Sequence, residues 1–162
     1  MSSDKLRLRA GDPEDLAVIA ACLQDARISI REMVYFPPDK RFIAAFTRYR
    51  RERQPDMRSC EGLTECLSAL VFDGIDQVRF RGLDPKDQDK ELVLLTIATE
   101  PGRKHLMRID LVFEGDARIR LLCESIAARL DDFGDALPCA VTPCDHEASV
   151  LPGWTESYDY KA

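Results

Sequence analysis

The sequence predicts an α+β fold in which an antiparallel sheet of seven strands runs into one C-terminal helix. The main observation is the segment from His105 to Phe133, where the apolar period changes from two, typical of a strand, to about 3.6, typical of a helix. A second observation is that the strand-like segments follow one another through short connections, without a helix-sized crossover between them. We therefore predict one sheet that buries its apolar face against one late helix.

The N-terminal segment predicts a short strand followed by a helix. Lys5 to Arg9 alternates charged and apolar residues, and Gly11 ends the pattern. Asp12 is a favourable N-cap residue, and Pro13 suits the first helical position. The helix is expected to end near Asp25. We predict that this strand and helix are an extra element packed outside the main sheet.

The seven strands are predicted from alternating or β-branched segments that are separated by turns such as Asp73-Gly74. They are Ile28 to Phe36, Phe42 to Arg51, Cys66 to Phe72, Gln77 to Arg81, Leu92 to Thr99, Leu106 to Phe113 and Ile119 to Leu121. The closing helix is predicted from apolar residues at i, i+3, i+4 and i+7, which are Cys123, Ile126, Ala127 and Leu130.

This order of elements resembles the pleckstrin-homology-like (PH-like) barrel, in which a seven-stranded meander curls and is closed by a C-terminal helix. Curling removes exposed strand edges. The competing architecture is a helix layer over an open antiparallel sheet. The single α+β domain is predicted to cover residues 1–134, and the proline-containing residues 135–162 are predicted to form an irregular tail.

Three segments resemble a bacterial family known only as a domain of unknown function. They are LRLRAGDPEDLAVIAACLQDA near the start, LDPKDQDKELVLLTIA in the middle and FEGDARIRLLCESIAARLDDFG before the tail. The resemblance covers most of the chain up to about Pro138. It implies one compact intracellular domain and assigns no activity, cofactor or catalytic residue.

Composition indicates a soluble globular protein, since 45% of the 162 residues are hydrophobic and 32% are charged. The net charge of -6 disfavours nonspecific binding to nucleic acids or membranes. We predict a cytoplasmic location because the chain has no long apolar run and its first residues are charged where a signal peptide is apolar. In a reducing compartment the six cysteines are expected to remain thiols.

The densest basic cluster lies at the end of the second predicted strand and consists of Arg48, Tyr49, Arg50, Arg51 and Arg53. Guanidinium forks beside a tyrosine suit phosphate, carboxylate or stacked-base ligands. The alternative is a solvated strand edge whose arginines deter edge pairing and meet acidic residues elsewhere in the protein.

Metal and catalytic motifs are sparse. Cys139, Cys144 and His146 form a C-x4-C-x-H pattern, but zinc usually takes four donors, and the alternative is a proline-rich tail with incidental thiols. His105 is the only other histidine, and the chain has neither a G-x-S-x-G nucleophile motif nor a glycine-rich phosphate loop. The sequence therefore predicts no cofactor and favours a non-enzymatic protein.

We predict a binding domain whose partner is a protein or peptide, held in the groove beside the closing helix (Ser125 to Asp132). Trp154 and Tyr158 are predicted to dock the tail, because burying a tryptophan removes a large apolar area from water. The alternatives are an anion, phosphate or nucleic-acid ligand at the basic cluster, and a metal at the cysteine-histidine pattern. The sequence does not determine the oligomeric state.

Overall fold

The computed structural model describes residues 5–53, 63–104 and 106–138, and these residues form an antiparallel sheet with one α-helix. The helix is α1 (Pro13–Cys22). The strands are β1 (Arg7–Ala10), β2 (Arg27–Ser29), β3 (Met33–Phe36), β4 (Arg41–Tyr49), β5 (Thr64–Phe72), β6 (Ile75–Arg81), β7 (Glu91–Pro101), β8 (Met107–Phe113), β9 (Arg118–Cys123), β10 (Ala128–Asp132) and β11 (Leu137–Pro138). No helix among the described residues is long and apolar enough to cross a lipid bilayer.

The strand order is β1-β10-β5-β4-β2-β7-β8-β9-β6, with β3 also paired to β4 and β11 also paired to β5. The pairing of β2 with β7 joins two parts, which we call the first half-sheet (β1, β10, β5, β4 and β2, with β3 and β11) and the second half-sheet (β7, β8, β9 and β6). Buried side chains from both parts, such as Phe46 and Phe72 in the first and Leu111 and Phe113 in the second, belong to one hydrophobic core. The sheet therefore folds over a single core while remaining open along its strand order.

The predicted helix start is confirmed. The Asp12 side chain accepts a hydrogen bond from the backbone N–H of Asp15 at 2.8 Å, and Pro13 is the first helical residue. The prediction that this strand and helix lie outside the sheet is wrong. Strand β1 pairs with β10 within the sheet, and Leu16 and Ile19 of α1 are fully buried in the core.

The predicted closing helix is also wrong, and the PH-like barrel with it. The segment forms β10, which pairs with β1 on one side and β5 on the other. Ala128, Leu130 and Asp132 alternate inward, as a strand requires, whereas Ala127 of the predicted helical stripe is exposed. A short apolar stripe fits either period, and pairing with two distant strands satisfies the backbone hydrogen bonds without a helix.

The predicted meander of seven strands is replaced by eleven strands among the described residues. Most predicted strands exist, but the first is interrupted by a 3₁₀ turn at Ile30–Glu32 and becomes β2 and β3. The end strand β6 approaches β3 at one point, where the Tyr35 hydroxyl donates to the carbonyl of Ile75 at 2.5 Å. This contact draws the two halves together without closing a barrel.

Candidate functional site

The first residue of the predicted basic cluster points into the protein. The Arg48 side chain is 0% exposed and binds Asp132 through two hydrogen bonds, from Nε to Oδ1 at 2.8 Å and from Nη2 to Oδ2 at 2.7 Å. Its outer edge donates to the Glu52 carboxylate at 2.8 and 3.0 Å. Arg48 therefore neutralises two carboxylates and is covered by protein on all sides.

Asp132 is the centre of this buried polar cluster at the end of the core. Its carboxylate also accepts hydrogen bonds from the Ser68 hydroxyl and from the backbone N–H of Leu6, the latter at 2.8 Å. Burial by itself would raise the pKa of Asp132, but the hydrogen bonds from Arg48, Ser68 and Leu6 outweigh it and lower the pKa to about 2. The cluster is satisfied internally and has the features of a structural ion pair.

The thiols next to this cluster are not activated. Burial raises the pKa of both Cys22 and Cys66, and this outweighs the opposing effect of the Arg48 charge. Because the thiolate is the nucleophilic form, a raised pKa leaves little of it near neutral pH. The arrangement of cysteines and acids around Arg48 therefore does not favour nucleophilic catalysis.

The next residues of the predicted cluster also have internal partners. The Tyr49 ring is buried, and the guanidinium carbons of Arg27 and Arg51 each lie 5.9 Å from its centroid. Arg51 in turn forms an ion pair with Asp25 at 2.8 Å. These contacts indicate a stacked arrangement that stabilises the end of β4.

Arg50 is the described member of the cluster that faces a cavity. It donates to the Thr64 hydroxyl at 3.3 Å and lies at a cavity of about 160 Å³. The cavity is lined by Lys5, Arg50, Cys66, Asp132 and residues 134–136. The structure thus places Arg50 and Lys5 at one cavity, while the side chain of Arg53 lies outside the described residues.

The predicted metal-binding and tail-docking residues belong to the part of the chain after residue 138. Cys139, Cys144, His146, Trp154 and Tyr158 all lie outside the described residues. In the part of the chain that the structure describes, no group of three or more His, Cys, Asp or Glu side chains is placed to hold a metal ion. The metal and tail-docking predictions therefore stay predictions.

A second basic surface lies on the outer face of the second half-sheet, and the sequence analysis did not single it out. The strand registers place twelve residues of β6, β7, β8 and β9 on this face. Five of them are arginines and two are acidic, which gives a local net charge of +3 on a protein of net charge -6. We call the five the arginine face: Arg79, Arg81, Arg108, Arg118 and Arg120.

The arginine face contains like charges directly opposite one another on neighbouring strands. Arg79 is in register with Arg120, and Arg81 is in register with Arg118. On a sheet surface such cross-strand pairs repel and destabilise the pairing. Alternation explains the orientation of these arginines, since Phe80 and Ile119, which lie between them on β6 and β9, pack in or against the core.

Two carboxylates partly balance the arginine face. Asp110 is buried beneath it and accepts two hydrogen bonds from Arg120, at 2.8 and 3.0 Å, with Arg118 at 3.6 Å. Glu100 lies 3.0 Å from Arg108 and 3.6 Å from Arg120. Each carboxylate is thus shared by two arginines, so the face keeps an excess of positive charge.

The sequence does contain a signal for this face. Both strands carry an Arg-x-Arg pattern, at residues 79–81 and 118–120, and alternation places each pair on one side of its strand. What the patterns do not reveal is that β6 pairs with β9, because β7 and β8 lie between them in the sequence. The density of charge arises from this long-range pairing.

Comparison with known proteins gives a family. A family model with the description "Protein of unknown function (DUF2948)" matches residues 6–145. The chain belongs to this family. The membership confirms the resemblance to a domain of unknown function, and the searches of curated proteins and of solved structures found no match.

The DUF2948 match spans the arginine face and the buried Arg48–Asp132 pair and ends before Trp154. Both charge clusters therefore belong to the part of the chain that defines the family, whereas the aromatic residues of the tail lie beyond it.

Proposed function

We propose that this protein is a binding domain whose arginine face receives an acidic segment of a partner protein. The observation that carries the proposal is the register of β6 and β9, which places Arg79 opposite Arg120 and Arg81 opposite Arg118 on a face where five arginines accompany two acidic residues. A bound anion would relieve the repulsion between these like charges. The sheet would then gain stability from the same contacts that hold the partner.

The spacing of the guanidinium groups supports an extended peptide as the ligand. Adjacent strands lie about 4.8 Å apart, and successive residues on one face of a strand are about 6.8 Å apart. Side chains at alternate positions of an extended peptide repeat at the second of these distances. A segment with acidic residues at every second position would therefore place its carboxylates over the arginine pairs, where each guanidinium can bind a carboxylate through two parallel hydrogen bonds.

The same surface is less suited to nucleic acid. At physiological ionic strength charges interact over about 8 Å, so a short ligand responds to the local charge of +3. A long polyanion also meets the acidic remainder of a protein with net charge -6. In addition, none of the twelve outer-face residues is aromatic, and aromatic side chains are the usual stacking platform for single-stranded bases on a sheet.

The test is fluorescence anisotropy with a labelled peptide that carries glutamate at alternate positions. We expect binding that weakens with salt, and about tenfold weaker binding for the double variant Arg79→Gln/Arg118→Gln, or roughly 1.4 kcal/mol. Both side chains are only partly buried, so the variant is expected to fold. Arg31→Gln is the matched control, because Arg31 is exposed and paired with Asp89 outside the arginine face.

Three outcomes would contradict the proposal. The first is that the peptide fails to bind at low salt. The second is that the control variant weakens binding as much as the double variant does. The third is that a single-stranded RNA hexamer binds more tightly than the peptide at equal salt. Circular dichroism of each variant establishes that the sheet is intact before binding is compared.

A further inference from the structure

The outer face of the first half-sheet carries an exposed apolar patch made of Leu67, Phe133 and Leu137. Phe133 is 51% exposed and Leu137 is 59% exposed. The three residues adjoin, since the Phe133 backbone N–H donates to the Leu67 carbonyl at 2.9 Å and Leu137 pairs with Glu65, two residues along the same strand. Helix α1 packs into the core on the opposite side of the sheet, so it does not cover the patch.

A basic border lies along one side of the apolar patch. Arg7 pairs in register with Asp131, which points to the same face as Phe133 because Asp132 between them points inward. The nearest approaches of Arg7 and Arg9 to the Asp131 carboxylate are 3.8 and 3.4 Å, and both arginine side chains are about two-thirds exposed. These two arginines share the Asp131 carboxylate with Arg129, whose Nε lies 3.9 Å from it.

We propose that residues 139–162 of the same chain dock on the apolar patch, with Trp154 as the apolar anchor. The first argument is connectivity, because the segment begins directly after β11, and Leu137 of β11 is itself part of the patch. Trp154 lies sixteen positions after Pro138, and an extended chain of that length reaches about 50 Å. The tail can therefore return to the patch without strain.

The second argument is chemical complementarity. The tail holds three aromatic residues, Trp154, Tyr158 and Tyr160, and a tryptophan can bury up to about 250 Å². It also holds four carboxylates and one lysine, a net charge of -3, and this opposes the basic border. An aromatic and acidic segment matches an apolar patch that is bordered by arginines.

The docking surface is separate from the arginine face. It lies on the first half-sheet, whereas the arginine face lies on β6, β8 and β9 of the second. Tail docking and binding of an acidic partner can therefore succeed or fail independently, and one experiment does not decide the other.

The test uses the fluorescence of Trp154, the only tryptophan in the chain. We expect the full chain to emit at shorter wavelength than the urea-unfolded chain and to be quenched less by acrylamide. In Phe133→Ser/Leu137→Ser, emission should shift to the wavelength of the unfolded chain and quenching should rise to the same level. Val18→Ser is the matched control, because Val18 is exposed on α1, away from the patch.

Leu137→Ser alone is a second variant, since Leu137 lies in a two-residue strand and its loss leaves the core intact. It should give a partial shift in the same direction, with an unchanged circular dichroism spectrum. The proposal is overturned if Trp154 of the unmodified chain already emits like the unfolded chain, or if the patch variants leave its emission unchanged. An emission wavelength that depends on protein concentration would also overturn it, because a second copy would then occupy the patch.

Discussion

The buried ion pair of Arg48 and Asp132 is predicted to stabilise the folded protein, and a single substitution tests this prediction. Replacing Asp132 by asparagine keeps the size of the side chain but removes its charge. The amide has one acceptor oxygen where the carboxylate accepts from Arg48, Ser68 and the Leu6 backbone. Arg48 would then be buried with Glu52 as its remaining carboxylate partner.

The expected loss of stability is large. Removing one partner of a buried ion pair costs about 3–5 kcal/mol, since the other charge stays buried. Because Arg48 keeps Glu52 as a partner, we expect the lower end of this range. The pKa of Asp132 points in the same direction, because its decrease from 3.8 to about 2 corresponds to about 2–3 kcal/mol of stabilisation of the folded state. Both values are a substantial part of the 5–15 kcal/mol by which proteins of this kind are folded.

Urea unfolding at pH 7, followed by circular dichroism, measures the loss directly. The pH dependence follows from the direction of the shift. A carboxylate whose pKa is lower in the folded protein stabilises it above the unfolded pKa of about 3.8, and this contribution disappears as the pH falls through about 2. The difference in unfolding free energy between the natural protein and Asp132→Asn should therefore narrow by about 2 kcal/mol between pH 5 and pH 2, where about half of the Asp132 carboxylates are protonated in the folded protein.

Asp135→Asn is the control, because Asp135 is exposed three residues away and the change removes the same charge. This substitution should change the free energy of unfolding by no more than about 0.5 kcal/mol. The reasoning would be refuted if Asp132→Asn lowered the free energy of unfolding by less than about 1 kcal/mol at pH 7. It would also be refuted if the difference in unfolding free energy from the natural protein were the same at pH 2 as at pH 5.

Two further predictions concern the backbone and a buried thiol. Gly82 and Gly74 both have φ of +74°, but an added Cβ at Gly82 would lie 2.7 Å from a backbone oxygen of the β8–β9 loop, whereas Gly74 has open space. In urea unfolding Gly82→Ala should cost about 1–3 kcal/mol more than Gly74→Ala, and equal costs would rule out the steric explanation. Burial raises the pKa of Cys123 to about 11, so iodoacetamide at pH 8 should modify it far more slowly in the native protein than in urea, as followed by peptide mass spectrometry. Equal rates in the two states would contradict this.

Local features of the fold were predictable because their causes are local. The N-cap at Asp12 and the proline at the next position specify the start of α1 through contacts within four residues. The strands β5 to β9 follow from alternation, and turn residues separate β5 from β6. The interruption at Ile30–Glu32 was missed, because β-branched residues on both sides of it continue the strand-like pattern.

Strand β10 shows a choice that local sequence patterns do not determine. Ile126 and Leu130 are buried, as the predicted helical stripe requires, but their spacing also fits a turn followed by a strand. The choice between them depends on β5, whose Phe72 pairs with Ala128 across more than fifty residues. A helix here would leave β5 without this partner, so the backbone hydrogen bonds of β5 favour the strand.

The charges of this protein also depend partly on local sequence and partly on long-range strand pairing. Composition and alternation alone establish an acidic chain, strands with one apolar face and, in the segments of β6 and β9, arginines that alternate with core residues. Composition and alternation do not specify which charged side chains lie next to one another in the folded protein. Arg48 meets Asp132 across 84 residues, and Arg79 lies opposite Arg120 because β6 pairs with β9. Strand pairing therefore determines that one arginine is neutralised in the interior and that five others share an outer face. The physical reason is that a charge interacts with whatever lies within a few ångströms, and the folded sheet, not the order of residues, sets that distance.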